Sequence, residues 1–140
     1  MTDITQEFLR SGTYTLLSAS CATHSAEQND RATARLHTML EQRGVVPVEV
    51  VECSQGGEEI RYMIVHPDWR ADTILDMAVW AGRVFSQDAV LFARAGRAYL
   101  IRCGDGEVEA EYAHCVPAAH NANRTEIRTS DGKTLAFTWC

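Results

Sequence analysis

Ser18, Ser20, Asn29 and Arg31 are the side chains best placed by type and spacing to hold a small polar molecule. Leu16-Leu17-Ser18-Ala19-Ser20 reads as a strand running out into a loop, and Ser25-Ala26-Glu27-Gln28-Asn29-Asp30-Arg31 as a helix start. Ser25-x-x-Gln28 is a capping box, with the hydroxyl on the N3 amide and the Gln side chain reaching back. On a helix that begins near Ala26, Asn29 and Arg31 fall in the first two turns. Backbone N–H groups without an intrahelical partner and the positive end of the helix dipole lie there too. Hydroxyls, an amide and a guanidinium in that setting suit an anionic or polar ligand. The competing reading is that Ser25 and Gln28 only cap the helix while Asn29 and Arg31 face water.

Two neighbouring segments add candidates. Gln87, just after a second helix, donates and accepts at once, which suits a nucleobase or an amide. Glu58, Glu59 and Arg61 stand at the opening of a strand, where Glu59 and Arg61 share a face. They read either as an edge ion pair or as ligand contacts. No catalytic residue is assigned. The histidines, His24, His37, His66, His114 and His120, form no HExxH or paired His-x-Ser/Thr motif. There is no Gly-x-Ser-x-Gly elbow and no Gly-rich phosphate loop. Cys21, beside His24 and just ahead of a helix, is the one candidate nucleophile. No metal site and no cofactor are expected. His114, Cys115 and His120 lack a second pair at ligand spacing.

The elements that must position these residues follow from periodicity. Residues 1–12 are a short lead with Phe8 and Leu9 as anchors. Tyr14–Ser20 reads as a strand. The capped helix carries Ala32, Leu36, Met39 and Leu40 on one face and stops at Gly44. Val45–Cys53 and Ile60–His66 read as a hairpin about the turn Ser54-Gln55-Gly56-Gly57, closed by Pro67. A second helix capped by Asp72 turns Ile74, Leu75, Ala78, Ala81 and Phe85 inward and breaks at Ser86-Gln87-Asp88. Strands follow at Ala89–Ala93, Arg97–Cys103 and Glu107–Tyr112. Residues 113–123 read as loop, and Thr125–Arg128 and Thr134–Trp139 as a last hairpin. The order strand-helix-strand-strand-helix-strand predicts an α+β fold. It is a ferredoxin-like split β-α-β-β-α-β sheet with both helices on one face, extended by C-terminal antiparallel strands. One domain is expected over 1–140, with a core unit at 14–101 and a β extension at 102–140.

Four short motifs share an order with a known pattern. They are Ser18-Ala19 at a strand end, Gln28-Asn29 with Arg31 at a helix start, Glu59 with Arg61, and Phe85-Ser86-Gln87-Asp88-Ala89 after a helix. Over roughly residues 14 to 101 the chain thereby resembles a family of small bacterial and phage domains with no assigned function. In that family a Gly is usual where Ser86 stands here, and a small hydroxyl where Arg61 stands.

Composition bounds the rest. The formal net charge of −6, with thirteen scattered basic residues, opposes binding to extended nucleic acid. No apolar run is long enough to cross a membrane. The start of the chain has neither the basic nor the apolar stretch of a signal peptide, so a cytoplasmic location is expected (the host cytoplasm for a phage protein). The five cysteines, Cys21, Cys53, Cys103, Cys115 and Cys140, show no CxxC spacing and read as free thiols.

The sequence-level expectation is a non-enzymatic binding module for a small polar, nucleotide-like or phosphorylated ligand, held by Ser18, Ser20, Asn29, Arg31, Arg61 and Gln87. The family context makes a phage protein that sequesters a host defence signal the concrete version. The alternatives are an interaction or inhibitor module acting on a host protein, and an enzyme acting on a nucleotide through Cys21 or His24. A homodimer is compatible with all three.

Overall fold

A computed structural model describes residues 4–55, 57–119 and 121–140. Met1–Asp3, Gly56 in the hairpin turn and His120 therefore lie outside the described residues. The chain forms α1 (Gln6–Ser11), β1 (Tyr14–Leu17), α2 (Ala26–Gln42), β2 (Pro47–Ser54) and β3 (Gly57–Val65). A 3-10 turn at Asp68–Arg70 leads into α3 (Ala71–Val84). Then come β4 (Ala89–Arg94), β5 (Arg97–Arg102), β6 (Val108–Tyr112), β7 (Cys115–Pro117), β8 (Arg124–Arg128) and β9 (Thr134–Trp139). All nine strands join one antiparallel sheet in the order β6-β5-β4-β1-β3-β2-β8-β9-β7.

This corrects the expected ferredoxin-like α+β fold. Element order through β4 follows the periodicity, but the chain is mostly a nine-stranded, nearly closed, barrel-like sheet with only three α-helices among the described residues. The physical reason lies in the C-terminal third. The two outermost strands, β6 and β7, are consecutive in the chain and joined by Ala113 and His114 alone. With Cα atoms ~3.8 Å apart along the chain, so short a link holds the two sheet edges close together. The amides of Ala113 and His114 both donate to the carbonyl of Cys140, at 3.1 and 3.0 Å, fixing the seam. The sheet therefore curls, and strands expected to extend an open sheet instead cover its inner face. Residues 113–123, expected as loop, supply β7.

Alternation along the strands divides the core in two. The inner cluster holds Tyr14, Leu16, Val50, Met63, Ala93, Ala98, Ile127 and Phe137, plugged at one end by Leu9 of α1. There the buried Tyr14 hydroxyl donates to the Leu9 carbonyl (2.8 Å) and accepts from Trp139 Nε1 (2.9 Å). The outer cluster packs Leu36 and Leu40 of α2 and Ile74, Ala78 and Ala81 of α3 on Leu17, Tyr62, Ile64, Val90 and Phe92. Among the described residues no helix is long and apolar enough to cross a membrane.

Both long helices end in the same device. After α2, Gly44 (φ 76°) donates to Glu41 and Val45 to Leu40; after α3, Ser86 (φ 56°) donates to Arg83 and Gln87 to Gly82. These paired bonds about a left-handed residue form Schellman motifs. The second one explains why a glycine suits position 86, and it places Gln87. Asp72, expected to cap α3, lies inside the helix; the cap is Arg70, without a side-chain bond.

Two predictions follow from these environments. Relieving the left-handed serine by Ser86→Gly is expected to raise stability by about 0.5–1 kcal/mol. Equilibrium denaturation measures the gain, and an unchanged midpoint would refute the strain at this position. His66 is buried, with Nε2 3.2 Å from Thr15 Oγ1 and its ring stacked on Phe92. Burial depresses its pKa, aided by Arg70 and Arg94 and opposed by the Pro67 carbonyl and Asp68. With the folded pKa below the unfolded value of ~6.5, the neutral ring contributes stability above that pH. That contribution falls as pH drops from ~6.5 toward the folded pKa. A thermal melt from pH 7.5 to 5 is expected to show this loss in the wild type and a smaller one in His66→Gln.

Candidate functional site

A polar cavity lies where β1 stops. Its volume is about 570 Å³, and it opens between the loop Ser20–Ala22, the first turns of α2 and the tip of the β2–β3 hairpin. β1 pairs with β3 only from Tyr14↔Val65 to Leu17↔Tyr62, whereas β3 runs on to Gly57, paired with β2 as far as Ser54↔Gly57. Beyond Leu17 one side of β3 has no neighbouring strand among the described residues.

The loop that leaves β1 is pulled away from β3 by side-chain amides. Asn29 grips Cys21 at both ends of its peptide unit: Oδ1 accepts from the Cys21 N–H (2.9 Å) and Nδ2 donates to the Cys21 carbonyl (3.1 Å). Gln87 Nε2 donates to the Ser20 carbonyl (2.8 Å) and to that of Phe85 (3.2 Å). Ser18 Oγ accepts from the Ser20 N–H (3.0 Å), and the Cys21 thiol donates to the Phe85 carbonyl (3.5 Å). The bonds to Ser20 and Cys21 satisfy backbone groups of the chain that leaves β1, and those to the Phe85 carbonyl satisfy the end of α3. The capping box is present as read: Ser25 Oγ accepts from the Gln28 N–H (3.2 Å) and Gln28 Oε1 from the Ser25 N–H (2.8 Å).

Of the six residues expected to hold a ligand, Ser20, Asn29 and Arg61 line this cleft. Ser18 and Gln87 stand behind it, shaping the loop. Arg31 points to water, 70% exposed, and pairs with Glu27 at 3.1 Å. His24 gives its backbone N–H to the Cys21 carbonyl (3.1 Å) and is otherwise exposed.

The cleft's charge comes from Glu58, Glu59 and Arg61, read from the sequence as an edge ion pair or ligand contacts, and from Asp30 and Glu52, which the sequence reading does not single out. The lining thus carries four carboxylates, Asp30, Glu52, Glu58 and Glu59, and one guanidinium, Arg61. Arg61 Nε lies 2.8 Å from a carboxylate oxygen of both Glu52 and Glu59. Those two glutamates are opposite one another in register, Glu52↔Glu59, where like charges repel. The ion pair on one strand face thus gains a third member, from β2. The hairpin register was the only signal for it. On the inner side, a cavity of about 330 Å³ lined by Leu91, Leu100, Phe137 and Trp139 also touches Glu52 and Arg61, so the triad separates the two spaces.

No known family model matches the chain, and no curated protein matches its sequence. The resemblance drawn from the short motifs rests on those motifs alone. Among the described residues, no three His, Cys, Asp or Glu side chains converge as metal ligands do. All five cysteines are free thiols. Trp69 is 82% exposed on the 3-10 turn that follows β3, at the end of that strand away from the cleft.

Removing the cation from the triad sets two facing carboxylates against each other. Arg61→Ala is expected to cost roughly 1 kcal/mol at low salt and less at high salt, where the repulsion is screened. Adding Glu59→Gln should recover part of the loss. Urea midpoints of the three proteins at two ionic strengths check this, and an equal loss at both would rule out the electrostatic account.

Proposed function

We propose that the chain is a non-enzymatic binding module whose ligand occupies the cleft beside β3. The observation that carries this reading is the cleft itself, a concave polar space at the end of a truncated central strand with walls held by side chain-to-backbone hydrogen bonds. A preorganised wall lowers the ordering cost of binding. The cleft's lining sets the ligand's charge. A phosphorylated or nucleotide-like occupant would meet four carboxylates and a guanidinium already shared between two of them. Neutral and cationic groups are better matched to such walls. The Cys21 thiol is directed at a backbone carbonyl, so the enzyme alternative has less support than the binding one.

Native mass spectrometry and a thermal-shift screen over nucleotides, sugars, amino acids and polyamines test the reading. Amines are expected to outrank nucleotides. A bound amine should be lost in the cleft-filling variant Ala22→Phe and unaffected by Arg31→Ala. Arg61→Ala, which frees Glu52 and Glu59 to face the ligand, should tighten an amine by roughly 0.5–1 kcal/mol. A ligand indifferent to both Ala22→Phe and Arg61→Ala would place binding elsewhere on the molecule.

A further inference from the structure

The five residues Gly57–Arg61 form a strand edge with one side open. On their other side they pair with β2 throughout, from Ser54↔Gly57 to Val50↔Arg61. On the cleft side no strand pairs with them, and among the described residues their backbone makes no other hydrogen bond. In an antiparallel ladder alternate residues turn both N–H and C=O to the same side, so part of this edge offers unused donors and acceptors to the cleft. Because β1 is bonded to both β3 and β4, those two strands stand about two strand spacings, ~10 Å, apart. β4 starts at Ala89, so beyond Leu17 the open side of β3 faces the loop Ser20–Ala22 and the first turns of α2 instead. That loop is held toward α2 and the α3–β4 turn by Asn29 and Gln87, which leaves room beside the edge. A Cβ built on Gly57 would meet nothing within 4 Å.

Resting on the binding-module reading, and deepening it, we infer that the ligand is an extended, basic peptide segment that adds to the Gly57–Arg61 edge of β3 as a further strand. The edge is ~15 Å long, enough for four or five extended residues. Main-chain bonds to β3 supply a sequence-tolerant part of the affinity. Charge supplies the selection. An added strand points its side chains alternately to the two sheet faces. Glu52 and Glu59 stand on the face that Met63 shares, and Glu58 on the opposite face, where Asp30 of α2 also lines the cleft. Lysine or arginine side chains on either face therefore meet carboxylates. Exposed strand edges are commonly guarded by charge against like neighbours; this guard is acidic, so it repels acidic strands and admits basic ones.

The test uses the full chain and a fluorescent eight-residue peptide of alternating lysine and valine. Its controls are the same peptide N-methylated on alternate amides, a glutamate–valine analogue, and spermine. Binding is read by anisotropy, and the site by amide hydrogen exchange. The expected result is saturable binding of the lysine–valine peptide with new protection confined to Gly57–Arg61. N-methylation and the glutamate analogue should abolish binding, and Asp30→Asn with Glu58→Gln should weaken it roughly fivefold. Equal binding of the N-methylated peptide, or full competition by spermine without protection at the edge, overturns strand addition while leaving a cationic binding cleft. No binding of the lysine–valine peptide at about 1 mM overturns it as well; the binding-module reading then falls only if the small-molecule screen is also silent. Protection of Gly57–Arg61 that rises with protein concentration alone replaces the peptide by a second copy of this chain.

Discussion

Four residues, Tyr14–Leu17, carry the sheet across its middle, and the brevity of that strand is the constraint on which the rest of the molecule depends. All four are buried, with Tyr14 and Leu16 in the inner cluster and Leu17 in the outer one. The strand is bonded on both sides, to β3 and β4. Where it ends, the backbone of Ser18–Cys21 loses its sheet partners in a part-buried place. Unpaired groups there would cost ~1–3 kcal/mol each. Asn29 and Gln87 supply the missing partners, and because they reach in from α2 and the α3–β4 turn, the loop is drawn to that side. The cleft is the consequence on the other side.

Closure of the sheet works from the opposite end of the chain. A four-stranded sheet with two helices on one face would leave Leu16, Val50 and Met63 facing water. Here Ile127 and Phe137 cover them, along with Cys115, whose thiol burial pushes up to about 11. The helices need cover only the outer face. Two apolar clusters on either side of one curled sheet bury more of a small chain than one layer could, which matters at 140 residues, where the surface remains large relative to the interior.

Much of the local structure was legible because it is set by short-range chemistry. The capping box at Ser25 and Gln28, the helix stop at Gly44, the break at Ser86–Asp88 and most of the strands depend on residues within a few positions of one another. The hairpins β2–β3 and β8–β9 were legible too, but closure of the sheet was not, because whether the later strands extend an open sheet or curl it is decided by contacts more than a hundred residues apart, such as Tyr14 with Trp139. The candidate site shows the same division. Asn29 and Gln87 stood out as polar side chains; Asn29 both donates and accepts, and Gln87 donates through Nε2. Their partners are backbone groups of a loop the sequence could not position. Glu52 went unused because its importance comes from standing opposite Glu59, a matter of register. Arg31, chosen for its charge near a helix start, lies two residues beyond Asn29, about 200° round the helix, and faces solvent.

Side-chain amides directed at the loop leave recognition to other groups. Asn29 and the amide nitrogen of Gln87 hold the wall, and Arg61 is shared by two carboxylates. The polar capacity that remains open in the cleft belongs to the main chain of β3, to acidic side chains and to the residues Ser20, Thr33 and Ser54. Main-chain groups at fixed spacing favour a partner with the same repeat, and acidic side chains on both faces of the strand favour positive charge along that partner. A small rigid ligand would engage one of these features at a time. An extended chain engages both along its length, because its backbone repeat matches that of the strand it joins.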